Sequence, residues 1–169
     1  MRSIVFFLAL SFITMSHQVQ AQEREGNTLL GSIDKDGMNL SSGIRLEGEN
    51  LVLWSRPKAN AYNPNGYVTN DFISFCKVSY TLQKLDDHWQ KTIISPMRLT
   101  QTGPEYGQVM MLDGAGQYRW RIQYQPPIEN GFFRHIDKAT GVAPWWKPFV
   151  LTYTFTLDAK GQIHKGVSS

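Results

Sequence analysis

The side chains able to do chemistry in this 169-residue chain are few: four histidines, one cysteine and six methionines stand out from an otherwise ordinary complement. Cys76 begins an alternating run and lies on its apolar side, while its neighbour Lys77 falls on the other side. A buried thiol therefore outweighs a nucleophile at that position. His88 follows Asp86-Asp87 in a polar turn and His164 lies in a polar tail, so both read as solvated. His135 is different. It sits between Phe132-Phe133-Arg134 and Asp137, in a long loop between two strand-like runs, and loops on a rigid β scaffold are where binding residues concentrate. Met97, after Pro96, is either core or a soft donor suited to Cu(I). Glu105 lies in the turn-rich stretch Gly103-Pro104-Glu105-Tyr106-Gly107. Trp145-Trp146, between Pro144 and Pro148, offers an aromatic platform for a partner. Neighbours on an extended chain face opposite ways, however, so at least one of the pair belongs in the core. No Gly-rich loop ending in Lys and Ser or Thr occurs, no G-x-S-x-G elbow, and no nucleophile adjoining a base. The chain reads as a binding protein rather than an enzyme.

The elements that must position these residues are strands. In Phe149 to Leu157 every second residue is Phe, Leu, Tyr, Phe and Leu, with Val and Thr between. Period two with β-branched and aromatic residues predicts a strand with one buried face. Gln117 to Gln125 repeats the pattern through Tyr118, Trp120, Ile122 and Tyr124, and Cys76 to Gln83 repeats it through Val78, Tyr80 and Leu82. Leu51 to Arg56 and Gln90 to Ile94 are shorter candidates. Asn63-Pro64-Asn65-Gly66, Asp86-Asp87, Asp113-Gly114-Ala115-Gly116 and Pro126-Pro127 supply the turns. No stretch of twelve residues carries a helical period with caps. Short strands between turns predict an all-β, antiparallel sandwich. The tail from Asp158 onward is polar and is expected to fray.

Composition narrows the class further. Charged residues are 18%, aromatics 12%, and the net charge is +3, which argues against disorder. Basic and acidic residues number 17 and 14 without a dense basic run, so nucleic acid is not an expected partner. One cysteine permits no intrachain disulfide. The N-terminus has Arg2, an apolar run from Ile4 to Ile13 and Val19-Gln20-Ala21. This is the three-part pattern of a secretory signal peptide, residues 1–21, cleaved after Ala21. The apolar run is short of the roughly 20 residues a membrane span needs. Residues 22–169 are expected to form one exported domain with no stable membrane insertion.

Three ordered segments carry a resemblance. They are Val78-Ser79-Tyr80-Thr81-Leu82; then Pro96-Met97 with Gly103-Pro104-Glu105-Tyr106-Gly107; then Arg134-His135-Ile136-Asp137-Lys138-Ala139-Thr140-Gly141 followed by Trp145-Trp146-Lys147-Pro148-Phe149. Together they resemble the periplasmic high-affinity iron-transport proteins of bacteria, over roughly Asn63 to Leu157. The resemblance implies an immunoglobulin-like sandwich in the periplasm, a homodimer, and an inner-membrane iron permease as partner. It also implies copper bound beside an iron-related site, held by an H-x-E pair, a methionine, the histidine of G-P-H-Y-G and the histidine of R-H-x-D.

Carried over residue by residue, that site is partly present. Met97 matches the methionine and His135 the last histidine, while Glu105 replaces the histidine of G-P-H-Y-G. Thr102 stands where the family usually has aspartate. The H-x-E pair falls on Val52 and Trp54 in a gapless count, or on Arg45 and Glu47 in an alternative one. Met97, Glu105 and His135 are thus the candidate ligands for a copper or iron ion. Replacing imidazole by carboxylate hardens the set towards Fe, Mn or Zn. Asp137 either orients the His135 ring or forms a turn. Two functions follow from these residues. One is capture of an iron or copper ion for a permease; the other is a relative with a degenerate metal site that binds a protein or ligand through Trp145 and Trp146.

Overall fold

The computed structural model describes residues 27–48 and 50–166; the expected signal peptide lies outside the described residues. Ten strands follow in order: β1 (Asn27–Lys35), β2 (Met38–Glu47), β3 (Asn50–Ala59), β4 (Lys77–Lys84), β5 (Gln90–Ser95), β6 (Met97–Thr100), β7 (Gly103–Val109), β8 (Gly116–Gln125), β9 (Phe149–Leu157) and β10 (Ile163–Lys165). They form two antiparallel five-stranded sheets, β1-β2-β3-β7-β6 and β10-β9-β8-β4-β5. A single 3₁₀ turn at Pro127–Asn130 is the only helical element among the described residues. The all-β sandwich expected from the alternating runs is the fold observed.

The clearest periodicities lie in the second sheet. Tyr118, Trp120, Ile122 and Tyr124 of β8 are buried while the residues between them are exposed. Val78, Tyr80 and Leu82 of β4 pack beside them, in register with Tyr124, Ile122 and Trp120. Leu30, Met38, Leu40, Ile44 and Leu53 of the first sheet close the core from the other side. Cys76 lies in this core, and burial pushes its thiol up to about 12, as befits an inert side chain.

Two expectations need correction. The stretch from Gly103, read as a turn-rich loop, is strand β7, between β3 and the edge strand β6 of the first sheet; Gly and Pro disguise it, yet Pro104 pairs with Leu99 near its start. The tail does not simply fray, since Ile163–Lys165 pairs with β9. Strands β1 and β2 lie outside the runs that the periodicity marks. They are joined by Asp36-Gly37 with φ of 50° and 76°, the two-residue turn that Asp-Gly favours. On β2 the inward period is broken by Ser42, and Gly43 is buried on the opposite face under the Trp54 ring, 2.5 Å from where a Cβ would stand.

The sheets are tied by polar as well as apolar contacts. Tyr80 is edge-on to Trp120, with ring centroids 5.0 Å apart. Its hydroxyl crosses to the first sheet, donating to the Tyr106 carbonyl at 2.8 Å and meeting Ser55 Oγ at 3.0 Å. Removing it takes a donor from the buried Tyr106 carbonyl and the partner of the buried Ser55 hydroxyl. Tyr80→Phe is therefore expected to cost about 1–3 kcal/mol, read as a lower urea midpoint with an unchanged slope.

Candidate functional site

The most concentrated chemistry lies on the face of the first sheet turned away from the sandwich core. Strand alternation sets it up. Tyr106 points inward, where its hydroxyl accepts from the Cys76 amide at 2.8 Å and donates to the Ile73 carbonyl at 3.0 Å. Its neighbour Glu105 must then point outward. Outward here does not mean solvated: Glu105 has 0% exposure because three arginines roof it. Arg45 of β2 grips both oxygens, Nη1 to Oε2 at 3.0 Å and Nη2 to Oε1 at 2.6 Å. Arg56 of β3 donates from Nη2 to Oε2 at 2.8 Å and to Thr102 Oγ1 at 2.6 Å. Arg98 of β6 donates from Nε to Oε1 at 2.9 Å. Glu47 completes the cluster from the rim, accepting from Arg45 Nη2 at 2.6 Å and Arg98 Nη2 at 2.7 Å.

Two further residues make room for this arrangement. Gly107 lies two positions along β7 on the same face as Glu105. A Cβ there would collide with Arg98 Nε and stand 2.7 Å from Glu105 Oε1. The Arg56 guanidinium carbon rests 5.3 Å from the centre of the Trp54 ring, a cation–π contact that holds it beside the carboxylate.

The charge balance is three guanidinium groups to two carboxylates. Burial alone would raise the Glu105 carboxyl, but the hydrogen bonds and charge of Arg45, with Arg56 and Arg98, outweigh it and hold Glu105 below the usual carboxylate range. Glu47 is likewise held low against its desolvation, by Arg98 and then Arg45. Arg45 is driven up by the same two carboxylates against its own burial.

The expected ligand set is not drawn together around Glu105. Register places Arg98, not Met97, beside it; Met97 pairs with Tyr106 and so belongs to the opposite face of the strand, 46% exposed. Of the two placements for the H-x-E pair, Arg45 and Glu47 join the cluster, while Trp54 carries Arg56 on its ring and donates to Asn27 at 3.1 Å. Both Glu105 oxygens accept from arginine, and the neighbouring groups offer guanidinium cations instead of imidazole or thioether lone pairs. The donors here do not fit a copper or iron ion. Among the described residues no three of His, Cys, Asp and Glu converge as a metal group.

His135 lies elsewhere, in the loop between β8 and β9. Gly131, at φ 76°, closes the 3₁₀ turn, and the Phe132 ring then stacks on Phe75 at 5.0 Å. Asn65 Nδ2 anchors the far side on the carbonyls of Ala143 and Pro144. Between these anchors the segment folds on itself, with the Val142 amide donating to the His135 carbonyl at 3.0 Å. Asp137 makes the turn: it accepts from the amides of Ala139 and Thr140, which hold its carboxyl below the usual range, and from the Thr140 hydroxyl. His135 Nε2 meets that hydroxyl oxygen at 3.1 Å. With the Thr140 proton directed to Asp137, its oxygen is placed to accept from Nε2–H, the tautomer that would leave the Nδ1 lone pair for an ion. Asp137 thus forms the turn and also orients the ring, through Thr140. Beside His135, Phe133 and Ile136 are exposed. Trp146 is buried in the core and Trp145 is half-buried across it, edge-on at 5.5 Å. At least one tryptophan was expected in the core, and Trp146 is.

The arginine cluster went unread in the sequence. Arg45 and Glu47 show the strand period, but Arg56 and Arg98 become partners only through the order β2-β3-β7-β6. Glu105→Gln is expected to cost about 3–5 kcal/mol at pH 7, since it removes the fully buried member of the network and leaves three part-buried arginines with the Glu47 carboxylate alone. A carboxyl held low when folded stabilises the fold above its unfolded pKa, about 4.3 for Glu, and loses that contribution as pH falls through the folded value. Thermal melts of the parent chain should therefore drop from about pH 5 downward, and Glu105→Gln should flatten that drop.

Similar proteins agree with this architecture. A family model described as Fe2+ transport protein matches residues 38–159. UPF0423 proteins of Brucella abortus and Brucella suis are 39% identical over 109 residues, 62% of this chain; the match spans only 59% of the length of those curated relatives. The solved structure of FetP from uropathogenic E. coli superposes with a TM-score of 0.71 at 26% identity, covering 77% of this chain and 95% of that one. A copper-reconstituted protein of Campylobacter jejuni shares the fold at 24% identity and a TM-score of 0.71, covering 78% and 96%. With its sandwich and its R-H-x-D-K-x-T-G loop inside the matched span, the chain belongs to the Fe2+ transport protein family.

Proposed function

We propose that the protein is an exported, non-enzymatic accessory of bacterial iron uptake that captures an iron or copper ion as cargo and passes it to an inner-membrane permease. The observation that supports this most is the family match, which includes the whole sandwich from β2 to β9 and the His135 loop. Copper in two solved relatives, the Campylobacter jejuni protein and a copper-bound FetP variant, makes copper or iron the ion to test. The donors open to a cargo ion are the Nδ1 lone pair of His135 and the Met97 thioether, with water or a second copy of the chain completing the coordination; Glu105 is closed by its arginines. A homodimer and a periplasmic location belong to the same reading. Among the described residues no helix is long and apolar enough to cross a membrane.

A second reading is favoured by the exposed Phe133 and Ile136 on the same loop. In it the metal function is lost and the loop, with the edge of Trp145, recognises a protein partner. Calorimetric titration with Cu(II), Zn(II) and, as an air-stable stand-in for Fe(II), Mn(II) separates the two. Binding at about micromolar affinity or tighter that weakens at least tenfold, about 1.4 kcal/mol, in His135→Ala supports metal capture. No heat and no thermal stabilisation by any of the three ions would sink it in favour of the second reading.

A further inference from the structure

The geometry points to the guanidinium groups of Arg45, Arg56 and Arg98 standing in place of a metal cation on the outer face of the first sheet. They neutralise Glu47 and Glu105 permanently and close that face to copper and iron. This rests on the metal-handling reading only for the identity of the ion. Copper-bound relatives share the fold, so a cation somewhere on it is what the family leads one to seek. In this chain the carboxylates that would attract one are saturated. Glu105 is fully buried, both oxygens accept charge-assisted hydrogen bonds, and the donors come from three separate strands. Such bonds are the strong ones, and a divalent ion would have to displace them while facing three positive charges.

The cluster is also built as a unit rather than left over. Gly107 supplies the space for the Arg98–Glu105 contact, Trp54 carries Arg56, and Thr102 takes a second bond from the Arg56 Nη2 that grips Glu105. Glu47 uses both of its oxygens on Arg98 and one on Arg45. Glu105 thus lies ready beneath arginines that could be removed, with Glu47 beside them at the rim. Taking away two of the three cations reverses the charge balance and frees hard oxygen donors, which suit Mn(II) and Zn(II).

The test compares four chains by calorimetry and thermal melting with Mn(II) and Zn(II): the parent, Glu105→Gln, His135→Ala, and the double variant Arg45→Gln/Arg98→Gln. The double variant is expected to bind at least one of the ions tenfold or more tightly than the parent and to be stabilised by it. Glu105→Gln is expected to melt lower but to keep the parent's metal affinity within twofold. A tenfold loss of the parent's affinity in Glu105→Gln, or a folded double variant that gains nothing, would overturn the assignment. Should the double variant not fold, Glu105→Gln decides alone: unchanged affinity, or a parent that binds no ion at all, supports the closed face. The two proposals fail separately. A parent that ignores metals while the double variant binds them removes the capture reading and keeps this one; a parent whose affinity falls tenfold in Glu105→Gln as well as in His135→Ala keeps the capture reading and removes this one.

Discussion

A carboxylate with no exposure to water must be matched by positive charge, and Glu105 meets that demand with arginines from three strands. The interaction determines more than its own energy. Glu105 lies on β7, Arg56 on β3 beside it, Arg45 one strand further and Arg98 on the edge strand β6. Satisfying one carboxylate therefore fixes the lateral order and register of four strands. Lost transfer energy makes a buried ion pair weak as a source of net stability, but removing one member is severe. Its strength as a constraint lies in that asymmetry: any slip of register leaves a charge buried and alone.

The opposite face of the same strand does different work. Tyr106 bonds inward to Cys76 and Ile73, and its carbonyl receives the Tyr80 hydroxyl from the second sheet. The dipeptide Glu105-Tyr106 thus joins the ionic roof of one sheet to the aromatic core between both. The His135 loop is mechanically separate, held by Phe75, Asn65 and its own Asp137 turn. A stiff, charge-locked sheet and an exposed loop with one oriented imidazole divide the molecule into a part that specifies the fold and a part free to meet an ion or a partner.

Sequence periodicity revealed β4, β8 and β9 of the second sheet well because they alternate without interruption: Tyr118, Trp120, Ile122 and Tyr124 can belong to little else. The first sheet was legible only in part. Ser42 and Gly43 on β2 are buried without being large or apolar, and β7 carries Gly103, Pro104 and Gly107 within seven residues. The site was harder still. A motif picks out Glu105 and His135 one at a time, yet the identity of Glu105's neighbours is decided by strand order, which brings Arg45 across 60 positions. The difference between Met97 and Arg98 as its companion is one residue of register, and one residue flips the face.

The central claim, that arginine cations rather than a metal hold Glu105, is tested most directly by diffraction. Crystals of residues 22–169 soaked in Cu(II) would be measured for anomalous scattering at the copper edge. The account predicts any strong peak away from the first sheet's outer face, with Glu105 still bonded to Arg45, Arg56 and Arg98. A peak within about 2.2 Å of a Glu105 oxygen, with the arginines swung aside, would contradict it.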